Sequence, residues 1–103
     1  MSYISPSKYA PYLLLRLYEQ SNGNINTYLN IYELDKQTSS VEKTGIRIQS
    51  ATVGQLHEWI KYLDTKGWVT TKKDLTGQYT DIAITLYGCK IAKAFQHNPN
   101  KIP

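Results

Sequence analysis

Apolar positions in the first half of the chain recur with the 3.6-residue period that is typical of α-helices. A first helix is predicted from near Lys8, with Pro11 in its first turn, and almost every residue from 9 to 18 is apolar. Residues 21–24 end this helix, with Gly23 in the left-handed conformation. A helix that is apolar all round is buried on more than one side. We therefore expect one face to meet the core and another to meet a second copy of the chain.

Residues 25–28 form a short candidate strand, and a second helix is predicted to begin at Asn30. Asn30 and Glu33 have the spacing of a capping box, in which a side chain at the helix start accepts from the backbone three residues later. Thr44 and Gly45 close the predicted helix. Its buried face, at helical spacing, consists of Ile31, Leu34, Thr38 and Val41.

The third predicted helix has the clearest start, because residues 52–55 read T-x-x-Q and form a capping box with Thr52 as the cap. Lys66 lies in the last turn, and Gly67 ends the helix. The predicted core face consists of Leu56, Trp59, Ile60 and Leu63. The opposite, outer face consists of Gly54, Glu58, Lys61 and Thr65, flanked by Gln55, His57 and Tyr62.

After Gly67 the period changes to two, which predicts β-strands. Residues 68–73 and 79–85 form the two strands of a hairpin around a turn at residues 74–77, and the tip is basic and polar. Thr85 caps a last helix over residues 86–96. The strand residues expected to point one way are Ile82 and Ile84, followed by Leu86, and the apolar side of the last helix is Ile91, Ala92 and Phe95.

The predicted order of elements is helix, short strand, helix, helix, strand, strand, helix. With a hairpin directly after the third helix, this order predicts an α+β fold of the winged helix-turn-helix type, in which the third helix is the recognition helix and the hairpin is the wing. No internal repeat or linker divides the 103 residues. We expect a single winged-helix domain over residues 1–103, with an N-terminal arm at residues 1–7 and a flexible tail at residues 97–103.

Twelve Lys and Arg against eight Asp and Glu give a formal charge of +4 and a pI near 9.2. This excess allows nucleic acid as a partner without requiring it. The one cysteine, Cys89, excludes an internal disulfide framework and a zinc site built from several thiolates, and it indicates a reducing compartment. The longest apolar run, residues 12–15, is too short for a membrane span. The expected location is cytoplasmic, in association with the nucleoid, without membrane contact.

The sequence offers no recognisable arrangement for catalysis. Residues 57–61 begin like the zinc-protease motif H-E-x-x-H, but Lys61 stands where the second histidine is needed. Cys89 on a short helix is more typical of a small buried hydrophobic residue than of a nucleophile. The glycines are explained by turns, caps or close approaches, and none forms a phosphate-binding loop. We therefore predict no enzyme activity, no metal and no cofactor.

Three segments, in order, resemble the PadR-like transcription regulators. Residues 31–36 (IYELDK) resemble the G-Y-E-L segment that opens their second helix, and residues 63–69 (LDTKGWV) resemble the end of their recognition helix. Residues 84–92 resemble their Y-x-L-T-x-x-G stretch, with Thr85 and Gly88 in register. Two departures are T-V-G-Q in place of their usual S-P-G-T at residues 52–55 and the lack of a predicted long dimerisation helix. The MarR group and the small winged-helix proteins of archaeal plasmids and viruses are similar alternatives.

The resemblance and the predicted fold imply binding of double-stranded DNA, with the N-terminal half of the recognition helix in the major groove. Gln55 can pair with adenine and Glu58 can accept from cytosine, although for Gln55 a pure capping role is an equal alternative. Lysines around the wing are expected at phosphates, and the alternative is a merely solvated hairpin. The predicted DNA contacts are Arg47, Thr52, Gln55, His57, Glu58, Lys61, Tyr62, Lys72, Lys73 and Gln78.

These observations predict a sequence-specific DNA-binding protein that acts as a dimeric transcriptional repressor. An alternative with the same fold is a plasmid-partition or DNA-organising protein that binds a centromere-like site, spreads along DNA and recruits a second protein. A third possibility is a winged-helix domain used only for protein–protein contact, which the polar outer face of the recognition helix argues against. The homodimer is expected to form through the first and last helices, with an interface of Tyr3, Ile4, Tyr9, Tyr12, Leu15, Tyr18 and Phe95.

Overall fold

The computed structural model describes residues 5–42 and 47–103 of the chain. This described part is an α+β domain with four helices and one three-stranded antiparallel sheet whose strand order is β1-β3-β2. No helix in these ranges is long and apolar enough to cross a membrane. The elements are α1 (Pro6–Ser21), β1 (Leu29–Asn30), α2 (Ile31–Asp35), α3 (Val53–Thr65), β2 (Val69–Lys73), β3 (Tyr79–Ile84) and α4 (Leu86–His97).

Helix α1 is the central element of the core. The five successive side chains at residues 13–17 are all buried, and together they point in every direction around the helix axis. Helices α2, α3 and α4 and strand β3 all pack against α1. A single chain therefore surrounds this helix, and its apolar character does not require a second copy.

This packing corrects the predicted homodimer interface at two of its residues. Leu15 is 0% exposed and Phe95 is 1% exposed within one chain, so neither can form an interface between copies. Tyr12 contacts the edge of Phe95 with ring centroids 5.1 Å apart, and Tyr9 stacks on Trp59 at 6.4 Å. The half-buried tyrosines of α1 thus already have partners in their own chain. Tyr3 and Ile4 lie outside the described residues.

The end of α1 and the segment after it differ from the prediction in detail. Gly23 is left-handed as predicted, with φ +72°, but Asn22 before it is left-handed too, with φ 54°, and it is the residue that caps the helix. The Asn24 side chain then accepts from the backbone of Asn26 at 2.8 Å, and its carbonyl accepts from Thr27. Because these residues turn, the strand predicted at residues 25–28 forms only afterwards, as β1.

The predicted caps are formed, but α2 is shorter than predicted. Asn30 accepts from the backbone of the first turn of α2, as predicted. The helix ends at Asp35, so Thr38 and Val41 lie beyond it and the longer helix is wrong. The Asp35 carboxylate accepts from the backbone N–H and the hydroxyl of Ser50, at 3.1 and 2.6 Å. The carbonyl of Asp35 accepts from Nη1 of Arg16 at 3.2 Å, which gives this carbonyl a partner other than the N–H of a continuing helix. Thr44 and Gly45 lie outside the described residues.

Arg16 ties the segment between α2 and α3 to the central helix. Its side chain is fully enclosed, and its Nε and Nη2 donate to the two carboxylate oxygens of Glu42 at 3.1 and 2.5 Å. Nη1 donates to the carbonyl of Asp35, and Nη2 also donates to the carbonyl of Ile48. Glu42 accepts in turn from the backbone N–H groups of Ser39 and Ile48. Nη1 is also 3.8 Å from the Asp35 carboxylate, so one buried arginine holds both sides of the connecting segment through ion pairs with Glu42 and Asp35.

The environment of Glu42 predicts a loss of stability in acid. Burial alone would raise its pKa, but the hydrogen bonds from Arg16 and from two backbone N–H groups outweigh it and lower the pKa below the ordinary value. A lowered folded-state pKa contributes stability that is present above the unfolded pKa of about 4.3 and is lost as the pH falls through the folded value. We expect the urea midpoint to fall between pH 5 and pH 3, and to fall less in Glu42→Gln. An equal fall in both proteins would contradict this role.

The junction of hairpin and last helix depends on Thr85. Its Oγ1 donates to the carbonyl of Gly67 at 2.8 Å and accepts from the N–H of Gly88 at 2.9 Å, while its own N–H donates to the carbonyl of Trp68. The predicted cap of α4 is thereby confirmed, and it also fastens α4 to the turn after α3. Leu86 is 70% exposed, so the prediction that it continues the inward face of the strand is wrong. It is the first residue of α4, where strand alternation no longer applies.

Candidate nucleic-acid interface

Helix α3 presents a polar outer face from its first turn onward. Thr52 caps it by accepting from the N–H of Gln55 at 3.0 Å, and the predicted core face is buried. Val53 is 55% exposed, and Glu58 and Lys61 are exposed on the same outer side. Gln55 differs from the prediction, because it is only 7% exposed and does not lie on the outer face.

Strand β3 contains a β-bulge near its first residue. This bulge changes the face of the sheet from which the Tyr79 side chain projects. Lys72 pairs with Asp81 but Lys73 pairs with Tyr79, so Thr80 is the extra residue of the bulged strand. Without the bulge, Tyr79 would lie on the same side of the sheet as Asp81 and Ala83. With it, the Tyr79 ring turns toward α3, which is the re-aiming of a side chain for which bulges are known.

Three rings join α2, α3 and the hairpin into one surface, which we call the aromatic row (Tyr32, His57 and Tyr79). The Tyr32 hydroxyl is hydrogen-bonded to Nε2 of His57 at 3.3 Å. The ring centroids of His57 and Tyr79 are 5.7 Å apart. Burial, and secondarily the Asp64 carboxylate, raise the pKa of Tyr79, so its hydroxyl stays neutral and able to donate. The row thus offers neutral hydrogen-bond donors beside the exposed face of α3.

The two lysines of the hairpin lie on opposite faces of the sheet. Lys73 Nζ is 5.0 Å from the ring centroid of Tyr79, at the end of the aromatic row. Lys72 Nζ is 4.2 Å from the ring centroid of Tyr28, and its strand partner is Asp81 on the outer sheet face. Paired residues of neighbouring strands project to the same side. The structure therefore brings Lys73, and not Lys72, beside α3.

A second group of cations lies at the other end of the row, beside the start of α3. Arg47 is exposed and donates to the carbonyl of Lys36 at 2.6 Å and to the side chain of Gln49 at 3.1 Å. A cleft of about 250 Å³ opens here, lined by residues that include Tyr32, Lys36 and Thr52. The exposed face of α3 is thus flanked by cationic side chains from α2 and the connecting segment at one end and from the hairpin at the other.

The remaining predicted contacts lie further from this surface. Tyr62 is half-buried, and its ring meets the edge of Trp68 at 6.0 Å. Gln78 is exposed in the hairpin turn, where its backbone is hydrogen-bonded to Asp74. Sequence reasoning missed Tyr32 and Tyr79. The signal available for them was the unusual abundance of tyrosine, nine residues against one phenylalanine, which suits half-exposed positions where a ring packs and its hydroxyl bonds.

Within residues 5–42 and 47–103, no group of three or more His, Cys, Asp or Glu side chains is arranged to hold a metal ion. Comparison of the chain with protein-family models, with curated proteins and with solved structures finds no match.

Proposed function

We propose that this chain is a winged-helix protein that binds double-stranded DNA, with α3 in the major groove and the hairpin as a wing against the neighbouring phosphates. One observation carries the proposal. The exposed polar face of α3 is continuous, through the aromatic row, with cations at both ends: Arg47 and Lys36 on one side and Lys73 on the other. A helix that reads a groove needs phosphate contacts on both sides of that groove.

Base contacts in this proposal come from the first two turns of α3. Glu58 is suited to accept from the amino group of cytosine, and the exposed Val53 is suited to contact a thymine methyl group. Thr52 and Lys61 lie at the two ends of this exposed stretch. Gln55 is not assigned to base reading, because it is only 7% exposed, and its backbone N–H donates to the capping Thr52. Specificity therefore depends on few side chains.

Phosphate contacts come from the two cationic ends and from the aromatic row. Lysine and arginine supply the charge that governs the salt dependence of binding. Tyrosine hydroxyls are neutral donors that hold the register on the backbone without adding charge. The negative charge of Glu58 on the same face limits affinity for non-specific DNA, so preference for a particular sequence is expected to be visible.

The first biological role that we propose is a transcriptional repressor that binds as a homodimer to two half-sites about one helical turn apart. The burial of Leu15 and Phe95 leaves Tyr9, Tyr12 and Tyr18, together with the N-terminal residues, as the candidates for the contact between copies. Sedimentation at micromolar concentration tests this. A monomer of 11.8 kDa that protects a single half-site would contradict the dimer while leaving DNA binding intact.

The experiment that tests the proposed function is selection of duplexes from a random-sequence pool by gel shift at two salt concentrations. We expect one enriched sequence and an affinity that falls steeply with salt. Enrichment of no sequence, with weak binding at low salt only, would contradict sequence-specific recognition.

The opposite orientation of the two hairpin lysines gives a prediction with a matched control. Lys73→Ala is expected to weaken binding to every duplex sequence and to reduce the slope of log affinity against log salt by about one, the value for one lost phosphate contact. Lys72→Ala removes the same charge from the neighbouring position but from the outer sheet face, and it should leave the slope nearly unchanged. Equal effects of the two substitutions would show that DNA does not contact the Lys73 face of the hairpin selectively.

A further inference from the structure

The excess positive charge of the chain does not lie mainly on the proposed interface. Residues 86–103 contain three lysines, Lys90, Lys93 and Lys101, and no Asp or Glu. They carry +3 of the formal net charge of +4, which leaves only +1 for residues 1–85. The most cationic region of the protein is therefore α4 and the residues that follow it.

Two of these lysines, Lys90 and Lys93, lie on the outer side of α4 between Leu86 and His97, and we call this line of exposed residues the α4 stripe (Leu86, Lys90, Lys93 and His97). The four residues are three or four positions apart, so they lie above one another along the helix, and all are exposed. Among the residues that the structure describes, no acidic side chain forms an ion pair with Lys90 or Lys93. The stripe is an unneutralised cationic surface.

The α4 stripe and the α3 face belong to two helices that each pack on α1. Both helices pack on α1, which is enclosed on every side, and each turns its exposed face away from that central helix. The inward side of α4 is fixed by the buried Ala92 and Phe95. The stripe is therefore formed by α4 alone and shares no residue with the surface of α3 and the hairpin.

We propose that the α4 stripe binds the phosphates of a second DNA duplex, so that one chain can join two duplexes. The proposal rests on the proposed function for the first duplex. Lys90 and Lys93 are about 4.5 Å apart along the helix axis, and their long side chains can reach neighbouring phosphates of one DNA strand. Two ammonium groups with no acid beside them fit adjacent phosphates, and they give affinity without sequence preference. This property favours the DNA-organising alternative over a simple repressor.

The test is capture of a second duplex. A duplex that carries the selected sequence is fixed to beads, wild-type protein is added, and retention of a fluorescent duplex of unrelated sequence is measured. Lys90→Ala/Lys93→Ala is expected to reduce retention about five-fold or more, since two phosphate contacts are lost, and to change gel-shift affinity for one short duplex less than about two-fold. The control Lys8→Ala/Lys66→Ala makes the same change of net charge at exposed lysines elsewhere and should retain the second duplex.

Four outcomes would overturn the proposal. Retention that survives the α4 substitutions would mean that pairing of copies joins the duplexes. If the α4 substitutions weaken binding of a single duplex only when that duplex extends well beyond the selected sequence, the stripe contacts the first duplex. The stripe would be a site for an acidic protein if it bound a fluorescent Glu- and Leu-rich peptide, if this binding depended on Leu86 and Lys90, and if retention of the second duplex were unchanged by the α4 substitutions. Wild-type protein that binds no duplex in the gel shift would remove the proposed function as well.

Discussion

Arg16→Met is expected to lower the free energy of unfolding by about 3–5 kcal/mol, the range for breaking a buried ion pair by removing one partner. The methionine fills much of the space, but it leaves the Glu42 carboxylate inside the protein without its bidentate partner. It also frees the carbonyls of Asp35 and Ile48 from the guanidinium. The loss is measured by urea unfolding followed through the fluorescence of the two buried tryptophans.

Two further variants make this result interpretable. Arg16→Lys keeps a charge but loses the forked geometry, so an intermediate loss is expected. Lys8→Met removes a cation from an exposed position of the same helix and should change stability by less than about 0.5 kcal/mol. If Arg16→Met stays within about 1 kcal/mol of the wild type, the ion pair does not hold the connecting segment. Weaker DNA binding is expected alongside, because that segment carries Arg47 and leads into α3.

Gly88→Ala is expected to destabilise the protein by about 1–3 kcal/mol or more, as overpacking does in a closed site. In a helix interior this substitution ordinarily stabilises by about 0.5–1 kcal/mol. Here a Cβ atom on Gly88 would lie 2.0 Å from the carbonyl oxygen of Trp68 and 3.0 Å from Cγ1 of Ile84. The Trp68 carbonyl oxygen is a backbone atom, and it accepts the hydrogen bond that joins the start of α4 to the residue before β2. The overlap can therefore be relieved only if the helix moves.

Gly54→Ala provides the matched control for Gly88→Ala. Gly54 is also helical, but a Cβ atom there would meet nothing nearer than Thr52 Oγ1 at 3.7 Å, which is an ordinary contact. We expect this variant to be as stable as the wild type or more stable by up to about 1 kcal/mol. The thermal midpoints of both variants are compared in the same buffer. A gain of stability in Gly88→Ala would show that α4 does not approach the strand as closely as described.

The local signals in the sequence located most elements, because caps and periodicity act within a few residues. Asn30, Thr52 and Thr85 each cap the helix that was predicted to follow them. The short α2 could not be predicted in this way. Its end is decided by Asp35 and by the Arg16–Glu42 pair, whose members are 26 residues apart in the chain.

The candidate site was predictable only in part, for a related reason. The outer face of α3 follows from helical spacing, and Glu58 and Lys61 are exposed as predicted. The position of Tyr79 beside Lys73 depends on one unpaired residue in its own strand, and strict alternation places Tyr79 on the wrong face. The burial of Gln55 could not be predicted for a different reason. It lies at the edge between the two faces of α3, where helical spacing alone does not decide whether a side chain is buried.

The extra residue at Thr80 makes the effect of a change in hairpin length depend on where the change falls. A residue added to the turn between Lys73 and Tyr79 lengthens the loop and leaves the pairing of both strands in place. A residue added between Lys72 and Lys73 would instead pair with Thr80, restore uninterrupted alternation and turn the Tyr79 ring from α3 to the outer sheet face. Divergent forms of this chain should therefore vary in length at residues 74–78 and have no residue inserted between positions 72 and 73.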